Sequence, residues 1–162
     1  MEYLNMWILF LSRREIKYLE LVNLQAVPEQ MLYRVFFCKE LTCFKFGGFN
    51  LSILPHFCGF QRLLSLHLED VRFESSAFQS FISACPLLEE LNISLCDCFE
   101  YFDFSAPTLE VLSLQCNQDM KSICLKKVNN LIDLILKINQ DEGIWFDKKF
   151  AKNSEVFYGI MV

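Results

Sequence analysis

The stretch from Cys85 to Cys98 gathers residue types from which catalytic and metal sites are made. It contains two adjacent carboxylates, Glu89 and Glu90, and three thiols, with Cys96 between the two end cysteines. Paired carboxylates can act as general acid and base, and clustered thiols can bind zinc. These side chains can act together only if the elements that carry them bring them to one place.

The spacing within this stretch argues against both kinds of chemistry. Glu89 and Glu90 are neighbours on a predicted strand, where adjacent side chains point to opposite faces. We therefore expect Glu89 at the strand entrance and Glu90 on the outer face. The first two ligands of a structural zinc site usually have roughly two to four residues between them, whereas Cys96 and Cys98 have one. The sequence predicts no metal site and no cofactor.

The two histidines, His56 and His67, do not indicate an enzyme. His67 falls at an outward strand position, and the sequence pairs no serine or cysteine with it as a nucleophile. The glycine pair Gly47-Gly48 lacks the spacing of both common phosphate-binding loops. We expect a surface histidine rather than a general base, and a protein that is not an enzyme.

A repeated pattern organises the chain. The motif L-x-x-L-x-L, with Ile or Phe allowed at the apolar positions, recurs six times at steps of 21 to 25 residues. Leucine-rich repeats have periods of about 20–29 residues. The six motifs start at Ile16, Leu41, Leu63, Leu88, Leu109 and Leu131.

The repeat predicts a fold as well as a period. In x-L-x-L-x the leucines of a strand point inward and the x positions point outward. One repeat cannot bury its leucines alone, so neighbouring repeats must stack. We predict an α/β leucine-rich-repeat solenoid, curved, with a parallel sheet on its concave side and a mixture of helices and short strands on its convex side.

The convex segments are predicted to be of two kinds. Apolar residues at i, i+3 and i+4 predict helices over 4–12, 28–40 and 75–85. Partial alternation predicts short strands that start near Phe99 and near Met120. We expect the first helix to cover the first strand as a partial cap.

Two phrases in the repeats resemble those of a known family. The sequence reads S-x-CPLLEEL within residues 82–91 and SAP-x-L-x-x-L over residues 105–112. These phrases resemble the leucine-rich-repeat region of plant F-box proteins, particularly the F-box/FBD/LRR type, and the resemblance runs from residue 7 to about 139. It also implies that Cys96 packs at a turn, where such repeats place Asn or Cys.

The resemblance implies substrate reception for a cullin-RING ubiquitin ligase. In that family the F-box docks the ligase adaptor and the repeats hold the target protein. The 162 residues contain neither an F-box nor an FBD segment. We therefore expect adaptor binding only if an F-box is present in a longer chain.

Two interpretations of the function stay open. The first is a protein-binding module, the substrate-recognition part of an F-box-type receptor. The second is a truncated structural fragment with no independent binding activity. We predict a partial cap helix over 1–15, six repeats over 16–139, and a non-repeat, truncated tail over 140–162.

The outward strand positions form the candidate binding face for an unknown target protein. Solenoids use their concave surfaces in this way, and the mixed charge of these positions favours neither a polyanion nor a strongly basic target. The candidate residues are Tyr18, Glu20, Lys45, Ser65, His67, Glu69, Glu90, Asn92, Ser94, Ser113, Gln115, Asp133 and Lys137.

Charge and apolar patterning exclude other partners. The net charge is −5 and no basic stripe stands out, so nucleic acid is not an expected partner. The apolar run over 6–11 is far shorter than the about 20 residues that cross a bilayer. The N-terminus has its arginines after this run, the reverse of a signal peptide. We expect an intracellular protein, cytoplasmic or nuclear, with reduced cysteines and no membrane contact.

Overall fold

The computed structural model describes residues 2–24, 29–30, 33–51, 57–73, 77–96, 101–103, 105–116, 122–125, 127–139 and 145–150. The helical elements are α1 (Glu2–Ser12), a 3-10 helix (Tyr33–Phe37) and α2 (Ala77–Ser83). The strands are β1 (Tyr18–Val22), β2 (Glu29–Gln30), β3 (Cys43–Gly47), β4 (Phe49–Leu51), β5 (Ser65–Glu69), β6 (Arg72–Phe73), β7 (Glu90–Ser94), β8 (Tyr101–Asp103), β9 (Val111–Cys116), β10 (Ser122–Cys124), β11 (Asp133–Asn139) and β12 (Trp145–Phe150).

The main sheet confirms the predicted solenoid. Strands β1, β3, β5, β7, β9 and β11 lie side by side in chain order, and each pairs in parallel with the next. Each begins two residues after the start of its sequence motif. Because a one-residue slip would turn every leucine outward, this common phase keeps the apolar positions of all six strands on one side.

A repeated hydrogen-bond pattern fixes the strand entrances. The carbonyl of Leu64 accepts from the N–H groups of Glu89 and Glu90, at 2.8 and 2.9 Å. The carbonyl of Glu89 in turn accepts from Glu110 and Val111, at 2.8 and 2.9 Å. Each strand thus positions the start of the next one, which transmits the register along the solenoid.

The convex side mixes helices with short strands, as predicted. Strands β8 and β10 lie at the two predicted sites and pair in parallel with each other. A further sheet of β2, β4 and β6 was not predicted. Helix α2 lies inside its predicted range, of which residues 75–76 fall outside the described part of the chain.

The helix predicted over 28–40 is wrong at residues 29–30 and in its type. Residues 29–30 form β2, which pairs in parallel with Phe49 and Asn50. Residues 28 and 31–32 lie outside the described part of the chain, and among the described residues of this range only Tyr33–Phe37 is helical, as a 3-10 helix. The apolar positions Val35 and Phe36 are buried as the periodicity required. Pairing with the next repeat overrides the local helical pattern, which is a non-local effect.

The core runs along the solenoid between the sheet and the convex side. The inward residues of the central strands are fully buried: Leu66, Leu91 and Leu112 are each 0% exposed. Phenylalanine rings pack together in this core, and the centroids of the Phe44 and Phe60 rings lie 5.6 Å apart. Its chemistry is entirely apolar, since no polar or charged side chain among the described residues is buried.

A left-handed residue ends three successive strands. Gly48, Asp70 and Leu95 directly follow β3, β5 and β7 and have φ angles of 71°, 49° and 54°. Their N–H groups donate to carbonyl oxygens at the end of the next strand, those of Glu69, Ser94 and Gln115, at 3.0, 3.0 and 3.1 Å. Glycine and, to a lesser degree, aspartate accept this conformation, whereas for leucine it is strained.

Replacing Leu95 by asparagine should therefore stabilise the protein. Asparagine tolerates the left-handed region, where other side chains cost about 1–2 kcal/mol, and Leu95 is already 40% exposed. We expect a gain of about 0.5–1 kcal/mol in the free energy of unfolding, measured by urea titration. The matched control is Leu87→Asn, which is 47% exposed and has no left-handed backbone. An equal effect of both variants would contradict the strain argument.

Candidate functional site

The outward strand positions form three straight rows across the concave face. The parallel register aligns Ser65 with Glu90, His67 with Asn92, and Glu69 with Ser94, and the same alignment continues in both directions. Every predicted position is at least partly exposed. The rows are Tyr18, Cys43, Ser65, Glu90, Val111 and Asp133; Glu20, Lys45, His67, Asn92, Ser113 and Ile135; and Val22, Gly47, Glu69, Ser94, Gln115 and Lys137.

The N-terminal part of this face carries a small charged cluster. The hydroxyl of Tyr18 donates to the Glu20 carboxylate, and Lys45 Nζ lies 3.9 Å from Glu20 Oε2. Lys45 Nζ also lies 5.9 Å from the centroid of the Tyr18 ring. The hydrogen bond to Glu20 raises the pKa of Tyr18. The pKa of Lys45 is also raised, mainly by the nearby oxygen of Tyr18 and to a smaller extent by the carboxylate of Glu20. At neutral pH the cluster is thus a neutral phenol beside a paired carboxylate and ammonium.

The centre of the face is a closed ring of four hydrogen-bonded side chains. Ser65 Oγ lies 2.9 Å from His67 Nε2 and 3.0 Å from Glu90 Oε2. Asn92 Nδ2 lies 3.1 Å from His67 Nδ1 and 2.8 Å from Glu90 Oε1. The ring joins β5 to β7 by side chains, in addition to the backbone ladder.

The carboxylate fixes the direction of each bond in the ring. An ionised carboxylate only accepts, so the group of Asn92 that faces Glu90 must be its NH₂. The second hydrogen of this NH₂ points at His67 Nδ1, which therefore accepts and leaves the ring proton on Nε2. His67 Nε2 then donates to Ser65 Oγ, whose own hydrogen goes to Glu90.

The hydrogen bond between Ser65 and His67 was not foreseen from the sequence. The two residues are two apart on β5, so their side chains share one face, and that spacing was the available signal. Proximity does not make Ser65 a nucleophile in this ring. A general base must accept the serine proton, whereas His67 donates to Ser65 here.

The C-terminal part of the face is differently organised. Ser94, Ser113 and Gln115 are half-buried, and in the described part of the chain none of them makes a side-chain hydrogen bond. Asp133 is the first residue of β11 and lies in the first row, and Lys137 is its fifth residue and lies in the third row. These side chains can bond to a partner without breaking existing contacts, which lowers the free-energy cost of binding.

The stretch from Cys85 to Cys96 is one repeat rather than a chemical site. Glu89 lies before β7 and is exposed, while Glu90 joins the hydrogen-bonded ring, so the two carboxylates do not work as a pair. Cys85 and Cys96 are 3% exposed, and Cys96 Sγ lies 3.8 Å from the Leu68 carbonyl oxygen, as the turn position implied. Within the described residues no three potential ligands converge on one point. The side chains of Cys98 and Cys116 lie outside the described residues.

Thiol reactivity should follow burial along the chain. Burial raises the pKa of Cys38 and of Cys85 to about 11, so almost none of their thiolate, the reactive form, is present at pH 8. We expect iodoacetamide to modify exposed Cys58 first and half-exposed Cys43 more slowly. Peptide mapping by mass spectrometry measures the order, with urea-unfolded protein as the control. Modification of Cys38 in the native protein at the rate of Cys58 would contradict it.

Comparison with known proteins identifies the repeats. The family profile described as "FBD-associated F-box protein At5g56370, LRR repeats" matches residues 4–144. The chain belongs to the F-box/FBD/LRR family of plant proteins. The leucine-rich repeats of this family form the main sheet and contain the phrases around Cys85.

Three relatives from Arabidopsis thaliana illustrate the match to the F-box/FBD/LRR family. F-box/FBD/LRR-repeat protein At1g13570 is 32% identical over 157 residues, which are 96% of this chain and 37% of that protein. F-box/FBD/LRR-repeat protein At1g78750 is 34% identical over 100 residues, 59% of this chain and 22% of that protein. F-box protein At3g62430 is 40% identical over 73 residues, 41% of this chain and 17% of that protein. The chain spans little more than a third of the first of these relatives.

No solved structure matches this F-box/FBD/LRR chain. Among the described residues, no helix has the length and apolar character needed to cross a bilayer.

Proposed function

We propose that the concave face of this solenoid binds a target protein, and that the chain is the substrate-recognition part of an F-box-type ubiquitin ligase receptor. The observation that carries the proposal is the alignment of partly exposed polar side chains in three rows on one continuous surface. Membership of the F-box/FBD/LRR family supports a role in protein interaction.

The chemistry of the face suggests different roles in binding for its centre and its C-terminal part. The ring of Ser65, His67, Glu90 and Asn92 is internally satisfied, so it offers a preorganised surface of fixed shape. Ser113 and Gln115 keep their hydrogen-bonding groups for a partner. We propose that the ring sets shape and that β7, β9 and β11 supply the new hydrogen bonds.

The proposed activity is binding and not catalysis. His67 donates a hydrogen bond to Ser65 in the ring and so does not act as a base toward it, which supports a binding role. Adaptor docking is proposed only for a longer chain that carries an F-box, as the names of the relatives suggest. We also propose an intracellular location, cytoplasmic or nuclear, which is supported by five cysteines that form no disulfide within the described part of the chain: Cys38, Cys43, Cys58, Cys85 and Cys96.

Quantitative affinity purification from plant cells tests the proposed face. The test variant carries Ser94→Arg, Ser113→Arg and Gln115→Arg on the concave side. The matched control adds the same charge to exposed convex positions of α2 with Gln79→Arg, Ser80→Arg and Ser83→Arg. We expect a set of proteins that the wild type and the convex variant retain and that the concave variant loses at least tenfold, roughly the effect of 1.4 kcal/mol.

The same comparison can overturn the proposal. Both variants must first match the wild type in circular dichroism and unfolding midpoint, so that a folding defect is not mistaken for lost binding. If the wild type and the concave variant then retain identical proteins, the face has no binding role and the fragment interpretation is favoured.

A further inference from the structure

The hydrogen-bonded ring at the centre of the concave face has used all of its own donors. The ring N–H of His67 goes to Ser65, and the hydroxyl of Ser65 goes to Glu90. The two amide hydrogens of Asn92 go to Glu90 and to His67 Nδ1. These side chains have no further N–H or O–H group to offer, so the ring can meet a partner only through its acceptors.

Unused acceptor capacity remains on two side chains of β7. An ionised carboxylate can accept about four hydrogen bonds, and Glu90 accepts two within the ring. Asn92 Oδ1 makes no hydrogen bond in the described part of the chain, because the amide nitrogen is the atom that faces both neighbours. Glu90 and Asn92 are two residues apart on β7, so both side chains lie on the concave face. A carboxylate and an amide oxygen are thus presented side by side.

The ring also carries a negative charge that lacks a fixed counter-ion. Among the described residues, His67 is the one basic side chain within 4.0 Å of Glu90, with Nε2 at 3.9 Å from Oε1. Its Nδ1 accepts from Asn92, which requires the neutral imidazole. Lys45 on the neighbouring strand β3 lies 3.9 Å from Glu20 instead. The Glu90 side chain is 41% exposed, so a cationic donor from outside can reach it.

We propose that the ring binds the guanidinium group of one arginine side chain of the target protein, an inference that rests on the proposed binding role of the concave face. A guanidinium has five donors and no acceptor, which complements a surface that offers only acceptors. Its planar fork reaches the Glu90 carboxylate and the Asn92 oxygen together, whereas the ammonium of lysine is a point charge. Val111 lies beside Glu90 in the first row and gives the methylene stem an apolar surface.

A neutral donor fits the ring less well. A backbone N–H or a side-chain amide of the target would satisfy the oxygen of Asn92, but it would leave the charge of Glu90 without a counter-ion. Hydrogen bonds between an ionised donor and an ionised acceptor are also stronger than neutral ones. The two kinds of donor are separated by comparing arginine with citrulline, which has a similar shape and no charge.

Nuclear magnetic resonance titration of the isotope-labelled chain tests the proposal directly. The probe is a glycine-flanked arginine peptide capped at both ends, and its matched controls replace the arginine by citrulline or by lysine. The side-chain amide of Asn92 and the backbone amides of β7 report binding. We expect the Kd of the arginine peptide to be lower than that of either control by about tenfold. Equal Kd values for arginine and either control, or unchanged signals of β7 with all three peptides, overturn the proposal.

A pair of charge-removing variants shows whether the ring itself binds the arginine. Glu90→Gln should raise the Kd of the arginine peptide by about tenfold. The matched control is Glu110→Gln, which removes an exposed carboxylate just before β9 and outside the ring. It should change the Kd by less than about twofold. Equal effects of the two variants would mean that the overall charge of the face attracts the peptide, and the proposal would be wrong.

The proposed binding role of the face stands or falls separately. If the peptides show no preference for arginine while the affinity purification still finds proteins that depend on the concave side, this inference is wrong and the face binds its target through other groups. If Glu90→Gln disturbs the fold, seen as a changed spectrum beyond β5 and β7, the comparison of the three peptides on the wild-type chain decides the proposal alone.

Discussion

Gly59→Ala should destabilise the protein by about 3–5 kcal/mol, because alanine would face both a backbone strain and a steric clash. Gly59 has a φ of 80°, a region that L residues rarely adopt. A Cβ built at this position would lie 1.7 Å from the carbonyl oxygen of Ala84. This oxygen belongs to the backbone at the end of α2, so a side-chain rotation cannot remove the contact.

Urea unfolding followed by circular dichroism measures the effect of Gly59→Ala. The matched control is Ser83→Ala, an exposed change in the last turn of α2, which should alter stability by less than about 0.5 kcal/mol. A loss below about 1 kcal/mol for Gly59→Ala would mean that α2 can move away from this loop, contrary to the close approach described here.

Phe60→Ala should cost about 3–5 kcal/mol through the cavity it leaves in the core. Phe60 is 0% exposed. Its ring centroid lies 5.6 Å from those of Phe44 and Phe57, and 6.1 Å from those of Phe36 and Phe81. These partners come from different repeats, so the cavity would weaken the packing between repeats and not only within one of them.

The control for Phe60→Ala uses the same substitution at the surface. Phe37 is 50% exposed at the end of the 3-10 helix, and Phe37→Ala should cost less than half as much, because little buried area is lost. Equal unfolding midpoints for the two variants would show that the ring cluster does not hold the repeats together.

The main sheet could be predicted because its signal is local and repeated. Each strand has its own L-x-x-L-x-L motif, and alternation along it assigns every side chain to a face. The rows through Ser65, His67 and Glu69 follow directly from that assignment and from stacking in phase. The left-handed backbone at Leu95 was not foreseen, because leucine is an unusual residue type for that conformation.

The convex side was harder to predict because it depends on contacts between repeats. Residues 29–30 form a strand only because Phe49 and Asn50 lie beside them in the next repeat. Strand β12 lies within the stretch 140–162, where the repeat pattern has ended, and it pairs antiparallel with β11. No repeat motif was therefore present to predict it. The proposed division of the chain into cap, repeats and tail remains a prediction.

The hydrogen-bonded ring shows what the alternation of side chains along a strand can predict about a site. Alternation placed Ser65, His67, Glu90 and Asn92 on one face, but the choice of bonds among them depends on side-chain rotamers and on distances between two strands. Sequence alone could therefore name the members of the face. It could not distinguish a satisfied ring from four independent side chains.

Site-specific photocrosslinking tests most directly whether the concave face binds a target protein. A photoreactive phenylalanine analogue replaces Gln115 on the concave face in one sample and Gln79 on the convex helix α2 in another. Irradiation in plant cells should yield a discrete crosslinked protein from position 115 and none from position 79. The same adducts from both positions, or adducts from position 79 alone, would contradict the account.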